Sequence, residues 1–251
     1  MDNDLACKVE NFKKAAANTA DDIVFKRFPA KNRGFDRELH QLVQTTLTRD
    51  SPFHLSHAET FTDTTVYPPP TEISSGGPAQ KKRKRDDDTL ANDVISHSDI
   101  QHAKIPSLMV ANRHMSQKVH DVVKKECAEM AGMIDELKLW VTLTMPKIED
   151  GDNFGVQIQE EVLAELHRAQ ESAYNLRDAP RQDYLARAEI CSKILKYPNI
   201  EDFTLALKEH DEKQLYIARQ HLLDIRNIYA VLTDLIQKNI SKACTNLGFH
   251  F

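Results

Sequence analysis

Residues 211–242 read DEKQLYIARQHLLDIRNIYAVLTDLIQKNISK, and within them Leu215, Ala218, Leu222, Ile225, Tyr229, Leu232, Ile236 and Ile240 recur at steps of three and four. Side chains three and four apart share one face of an α-helix, so the stretch is predicted to be a single amphipathic helix. A stripe sustained over so many turns demands partner helices along one side.

Immediately N-terminal, Ile158, Val162, Leu166, Ala169, Ala173 and Leu176 repeat the pattern, which resumes through Tyr184, Ala188, Cys191 and Leu195. Pro180 is expected to kink or interrupt this helix, because proline removes an amide donor and crowds the preceding turn; Pro198 is expected to close it. Another helix is predicted over residues 116–145, with Val119, Val122, Val123, Met130, Ile134, Leu137 and Val141 on its stripe. Met145-Pro146 is its stop, since the residue before proline is driven out of helical geometry. Nearest the start, Val9, Phe12, Ala16, Ala20, Ile23, Val24 and Phe28 predict a helix over 5–28 that Pro29 and Gly34 interrupt. A weaker pattern through Phe35, Leu39, Leu42 and Leu47 fades by Ser51-Pro52.

Between 51 and 115 the composition changes to Pro68-Pro69-Pro70, Ser74-Ser75-Gly76-Gly77-Pro78 and the charge run KKRKRDDD at 81–88. So little apolar content does not offset the conformational entropy of ordering, and the stretch reads as a disordered linker. Residues 1–50 therefore carry the N-terminal helix, 51–115 the linker with its basic run, and 116–251 helices two to four. One long crossover and two short connections describe an all-α four-helix bundle with antiparallel neighbours.

The whole chain agrees with that reading. Its 251 residues, 41% of them hydrophobic and 28% charged, are enough for one sizeable core under a well-solvated exterior, and seven glycines are too few to punctuate a many-stranded fold. A net charge of -5 favours neither wholesale nucleic-acid binding nor attraction to anionic membranes. No run approaches the roughly 18 apolar residues of a membrane span. The opening MDNDLACKVE has neither a basic nor an apolar leader region, so a soluble intracellular protein is expected.

Reactive constellations are not apparent. Cys7, Cys127, Cys191 and Cys244 form no C-x-x-C pair and read as reduced, partly buried thiols. His54-x-x-His57 sits in Ser/Thr/Pro-rich sequence and reads as a solvated loop rather than a metal site. Glu160-Glu161 and Glu209-His210-Asp211-Glu212 have no second E-x-x-H partner of the kind di-iron bundles use, and read as solvated faces. Phosphate loops, nucleophile elbows and H-E-x-x-H are absent from the sequence, so no enzyme, metal or cofactor is expected.

The segment WVTLTMPKIEDGDNFGVQIQEEVLAEL, Trp140 to Leu166, closely resembles the activation-loop region of the 11S (REG-type) proteasome activators. SKILKYPNIEDF at 192–203, the 211–242 helix and VENFKKAAANTADDIVFKRFP near the start look like further blocks of that family, in the same order. The resemblance implies a four-helix subunit of a heptameric ring with a central channel. That ring would cap the outer ring of the 20S proteasome and open its gate without ATP. It is nearest to the nuclear gamma-type members, and a homo-heptamer is expected.

On the same resemblance, the activation loop comprises Lys147, Ile148, Glu149, Asp150, Gly151, Asp152, Asn153, Phe154, Gly155 and Val156, with Asn153 and Gly155 setting its backbone shape. Leu247, Gly248, Phe249, His250 and Phe251 are the tail that inserts between outer-ring subunits; several members end in an aliphatic residue and Tyr instead. Lys81, Lys82, Arg83, Lys84 and Arg85 resemble a nuclear-import signal, which points to a nuclear protein that also occurs in the cytoplasm. The rival reading is a helical nuclear scaffold that uses the basic run to contact nucleic acid; membrane and nucleic acid are otherwise not expected partners.

Overall fold

A computed structural model describes residues 2–32, 38–68, 108–145 and 153–243. Helix α1 (Asp2–Asp22) passes through a π turn (Ile23–Arg27) into α2 (Phe28–Asn32), followed by α3 (Glu38–Thr45) and α4 (Ser56–Phe61). A second π turn (Met115–His120) leads into α5 (Asp121–Thr144); α6 (Asn153–Lys196) and α7 (Glu201–Ala243) complete the order. Pairing outside helices is limited, among the described residues, to one antiparallel bridge between Tyr67 and Leu108.

Long-range contacts fix how the long helices run. Gln159 Nε2 reaches the Thr144 carbonyl, Gln170 Nε2 the Ala131 carbonyl, and Asp183 binds His120, so α6 ascends as α5 descends. His210 binds Asp183, while Ala169 and Leu232 share a groove, which makes α7 antiparallel to α6. Arg27 approaches Glu129 and Lys31 reaches Glu126, so the α1–α2 rod is antiparallel to α5. The result is an up-down-up-down bundle whose crossover, from α2 to α5, carries α3 and α4.

The predicted stripes supply most of the core, but Val9 and Phe12 of the α1 stripe and Tyr184 and Ala188 of the α6 stripe are exposed. Leu215, Ala218, Leu222, Ile225, Tyr229, Leu232 and Ile236 of α7 are buried against Val123, Met130, Ile134, Leu137 and Trp140 of α5 and Val162, Leu166 and Ala173 of α6. Tyr229 and Phe28 meet edge to face, with ring centroids 5.3 Å apart at 68°. Lys31 closes this region by bridging Glu126 and Glu129, each at 2.9 Å.

Two prolines behave differently from expectation. Pro29 does not end its helix: the chain widens just before it, with Phe28 N–H bonding the Ile23 carbonyl across five residues. The wide turn relieves the clash a proline ring makes with the turn behind it. Pro180 lies inside an unbroken 44-residue α6 and is itself buried. It removes one backbone bond, and the apolar faces that α6 buries against α5 and α7 outweigh that loss.

Both described ends of the stretch expected to be linker are structured. Residues 51–68 and 108–115 are packed structure: Phe53 is fully buried and Ala58 nearly so. The Phe61 ring stacks on His114 with centroids 4.3 Å apart. His57 Nε2 and His114 Nε2 contact the backbone carbonyls of Ser51 and Pro52 at 2.9 and 2.7 Å, so polar side chains satisfy the turn that apolar ones anchor. His54-x-x-His57 is therefore a packed turn, not a solvated loop. The basic run Lys81–Arg85 lies outside the described residues.

Tyr229 carries a hydroxyl that is buried without a hydrogen-bond partner among the described residues. Tyr229→Phe should therefore hold or raise stability, by up to about 1 kcal/mol, whereas Tyr229→Ala should cost about 3–5 kcal/mol through the cavity it opens. Urea midpoints measured at one fixed protein concentration decide between these outcomes.

Candidate functional site

The α5–α6 connection is held firmly on its α5 side. Trp140 and Val141 are 2% and 1% exposed, and Thr144 Oγ1 donates to the Val141 carbonyl at 2.8 Å. Gln159 Nε2 caps the Thr144 carbonyl from α6, which satisfies one of the acceptors a helix end leaves open. Met145 then turns to φ -59°, ψ 134°, the extended geometry that a following proline imposes.

On the other side the boundary moves. Asn153, Phe154, Gly155 and Val156 are the first turn of α6, so the last four residues assigned to the loop are helical. Asn153 and Gly155 consequently act as helix-initiating residues and do not take the left-handed conformation expected of a shaped loop. Lys147, Ile148, Glu149, Asp150, Gly151 and Asp152 lie outside the described residues, as does the tail Leu247, Gly248, Phe249, His250 and Phe251.

Helix register brings the start of α6 and the end of α7 to one end of the bundle. From Asp183 down to Asn153, α6 runs roughly 45 Å, and from His210 down to Ala243, α7 runs roughly 50 Å at 1.5 Å per residue. Starting from the Asp183–His210 contact, the beginning of α6 and the end of α7 therefore stand nearly level, on neighbouring antiparallel helices.

The opposite end holds a polar cluster that periodicity did not reveal. Asp183 is 3% exposed and lies 2.7 Å from His120 Nε2 through one carboxylate oxygen and 2.7 Å from His210 Nε2 through the other. Burial opposes its ionisation, but the hydrogen bonds and charges of the two histidines prevail and hold its carboxyl below the usual carboxylate range. Beside it, Asp211 accepts from Arg187 Nε at 3.0 Å, Asn112 Nδ2 at 3.1 Å and Thr62 Oγ1 at 2.9 Å.

Two sequence readings are corrected by this cluster. Asp211, expected on a solvated face, is 2% exposed, and His210 is half-buried. After Pro180 the buried face of α6 passes through Asp183, Arg187 and Ile194, while Tyr184 and Ala188, taken as its stripe, are exposed. The i,i+4 spacing of Asp183 and Arg187 was the available signal, obscured because a hydrophobic pattern cannot register a face that polar groups fill. Glu160 and Glu161 are exposed, as a solvated face requires. Among the described residues no cluster of His, Cys, Asp or Glu is arranged to hold a metal. Cys7 is exposed, Cys127 buried and Cys191 half-buried, all as free thiols.

The family model for the C-terminal region of proteasome activator PA28 matches residues 108–246. Proteasome activator complex subunit 3 of Gallus gallus is 32% identical over 249 residues, covering 96% of this chain and 92% of the relative. The Homo sapiens protein of the same name is 31% identical over the same span. Among solved structures, the 11S subunit of the Plasmodium falciparum proteasome, PA28, aligns with a TM-score of 0.67 at 26% identity, covering 97% of this chain and 94% of that one. A chain in the complex of the yeast 20S proteasome with the activator PA26 from Trypanosome brucei aligns with a TM-score of 0.57 at 12% identity, a likeness of fold.

Because Asp183 has a depressed pKa in the folded state, its stabilisation is complete above the unfolded carboxylate value near 3.8 and is lost as pH falls through the lower folded value. Asp183→Ala should lose about 3 kcal/mol at neutral pH by stranding two histidines, and should weaken the acid-dependent loss of stability. Glu160→Ala, at an exposed position, should stay within about 0.5 kcal/mol. Urea titrations at pH 7 and pH 3 test all three statements.

Proposed function

The chain belongs to the proteasome activator PA28 family, and on that premise we propose that it is an ATP-independent activator of the 20S proteasome with no catalytic site of its own. Its tail Leu247–Phe251 supplies affinity by inserting into the outer ring, and the connection around Lys147–Asp152 presses on the gate. The observation that carries this reading is the shared level of the α6 start and the α7 end, which lets one docking face present both elements.

The mechanism is differential binding. An activator that holds the open gate more tightly than the closed one shifts that equilibrium, and a tail with equal affinity for both states would bind without opening anything. Anchor and effector must therefore be separate parts of one rigid body. A seven-fold ring multiplies weak tails, since each docked subunit raises the effective concentration of its neighbours' tails. The terminal carboxylate suits a lysine in the receiving pocket. The α1 residues Leu5, Val9 and Phe12 are 65%, 46% and 54% exposed at helical spacing, which supports burial of that face between subunits of a homo-heptamer.

Localisation follows from the basic run. Lys81–Arg85 lies in the crossover between two packed segments, and the reading as an import signal makes the protein nuclear, with a cytoplasmic fraction. Alanine at all five positions should move a fluorescently tagged protein from nucleus to cytoplasm; an unchanged distribution by microscopy rejects the signal.

Purified protein mixed with 20S proteasome should accelerate hydrolysis of a fluorogenic peptide several-fold without ATP. Deleting Leu247–Phe251 should abolish both stimulation and co-sedimentation. Gly151→Val should reduce stimulation while co-sedimentation persists, because it alters the effector and spares the anchor. No stimulation by the intact protein at any concentration would reject the function itself.

A further inference from the structure

The seam between α6 and α7 is open to solvent as a long groove. Arg168, Ser172 and Asp224 line its lower part, about 410 Å³, and Asp178 and His221 its upper part, about 560 Å³. From Glu165 to Ala186 it follows α6 for roughly 30 Å at 1.5 Å per residue, a shape that suits a packed helix face rather than a compact ligand. Val231 stands on its rim, 61% exposed.

The seam between α1 and α5 carries a complementary face. Around the bundle α1–α2 packs on α5, α5 on α6, α6 on α7 and α7 back on α2, so the two seams lie on opposite sides. Arg27 turns toward Glu129 of α5 and Phe28 toward Tyr229 of α7. Lys26, one step back along the helix, therefore faces away from α7 and out over the α1–α5 seam. Phe12, Thr19 and Lys26 recur every seven residues on that outer stripe, and all are exposed. On α5, Lys125 and Glu136 lie four and seven residues from Glu129, share its stripe and are exposed beside it.

A ring of identical subunits closes when two different faces of each copy meet, and with the bundles upright those faces must match at the same height. Contacts within one subunit fix the heights. Gln159 with Thr144, Gln170 with Ala131 and Asp183 with His120 advance in step. They set Lys125 level with Asp178 and Glu136 level with Arg168, to within about one 1.5 Å residue step. Arg27 beside Glu129 sets Lys26 near the height of Ala131, and hence close to Ser172, which lines the groove with Asp224. Lys125, Glu136 and Asp224 make no ion pair among the described residues. Their counterparts Asp178, Arg168 and Lys26 hold only exposed pairs along their own helices, which contribute little and are readily exchanged. We propose that the α6–α7 groove of one subunit receives the α1–α5 face of the next copy in the ring, with Lys125 facing Asp178, Glu136 facing Arg168 and Lys26 facing Asp224. This contact presupposes the heptameric ring and is continuous with the exposed α1 face of Leu5, Val9 and Phe12.

The test uses the full chain and reads its assembly by sedimentation velocity over a dilution series. Lys125→Glu places like charges opposite Asp178 and should raise the concentration at which the ring falls apart by at least about ten-fold; Asp178→Lys should do the same by facing Lys125. The double variant Lys125→Glu/Asp178→Lys should return to within about three-fold of the unaltered chain, a recovery that general surface damage does not produce. Lys26→Cys combined with Asp224→Cys and treated with a short bismaleimide should give a denaturing-gel ladder reaching seven chains, and neither single variant should give one. A ring that forms normally but ignores both single reversals, fails to recover in the double variant, or yields no ladder overturns this contact and leaves the heptamer itself standing. An unaltered chain that stays monomeric at every concentration overturns both.

Discussion

Asp183 holds three helices in register. Its two carboxylate oxygens meet His120 at the start of the α5 rod and His210 on α7, and one turn further along α6 Arg187 pairs with Asp211. An apolar seam made of Leu, Ile and Ala tolerates axial sliding, since one aliphatic contact replaces another. A one-turn slip here, about 5.4 Å, would strand a buried carboxylate, two imidazoles and a guanidinium. The polar contacts thus specify alignment, while the apolar stripes provide the drive to associate.

That alignment is felt at the far end. The beginning of α6 and the end of α7 lie roughly 45–50 Å from the cluster and come nearly level, because both helices rise the same 1.5 Å per residue from their Asp183–His210 contact. Met145, Thr144 and Gln159 then fix the end of α5.

Packing also explains where local rules gave way. Pro29 is accommodated by a π turn and Pro180 by the burial of α6 on both sides, so neither proline marks a boundary. Residues 51–68 have the composition of a linker, yet Phe53 and the Phe61–His114 stack hold them on the bundle, with histidines satisfying backbone carbonyls. Compositional rules average over a window, and a few well-placed side chains can overcome that average.

The sequence by itself determined the long helices, the apolar faces of α5, α7 and the first part of α6, and the stop at Met145-Pro146, because 3.6-residue periodicity and proline geometry are local properties. It also carried the family resemblance through the order of its blocks. Only the tertiary structure decided that Asn153–Val156 begin a helix, that Asp211 and His210 are inside, and that Asp183 and Arg187 form the buried face of α6 after Pro180. The burial of Asp211, His210, Asp183 and Arg187 depends on partners 24–149 residues away in sequence, and a charged side chain reads as solvent-exposed until the group that neutralises it is seen.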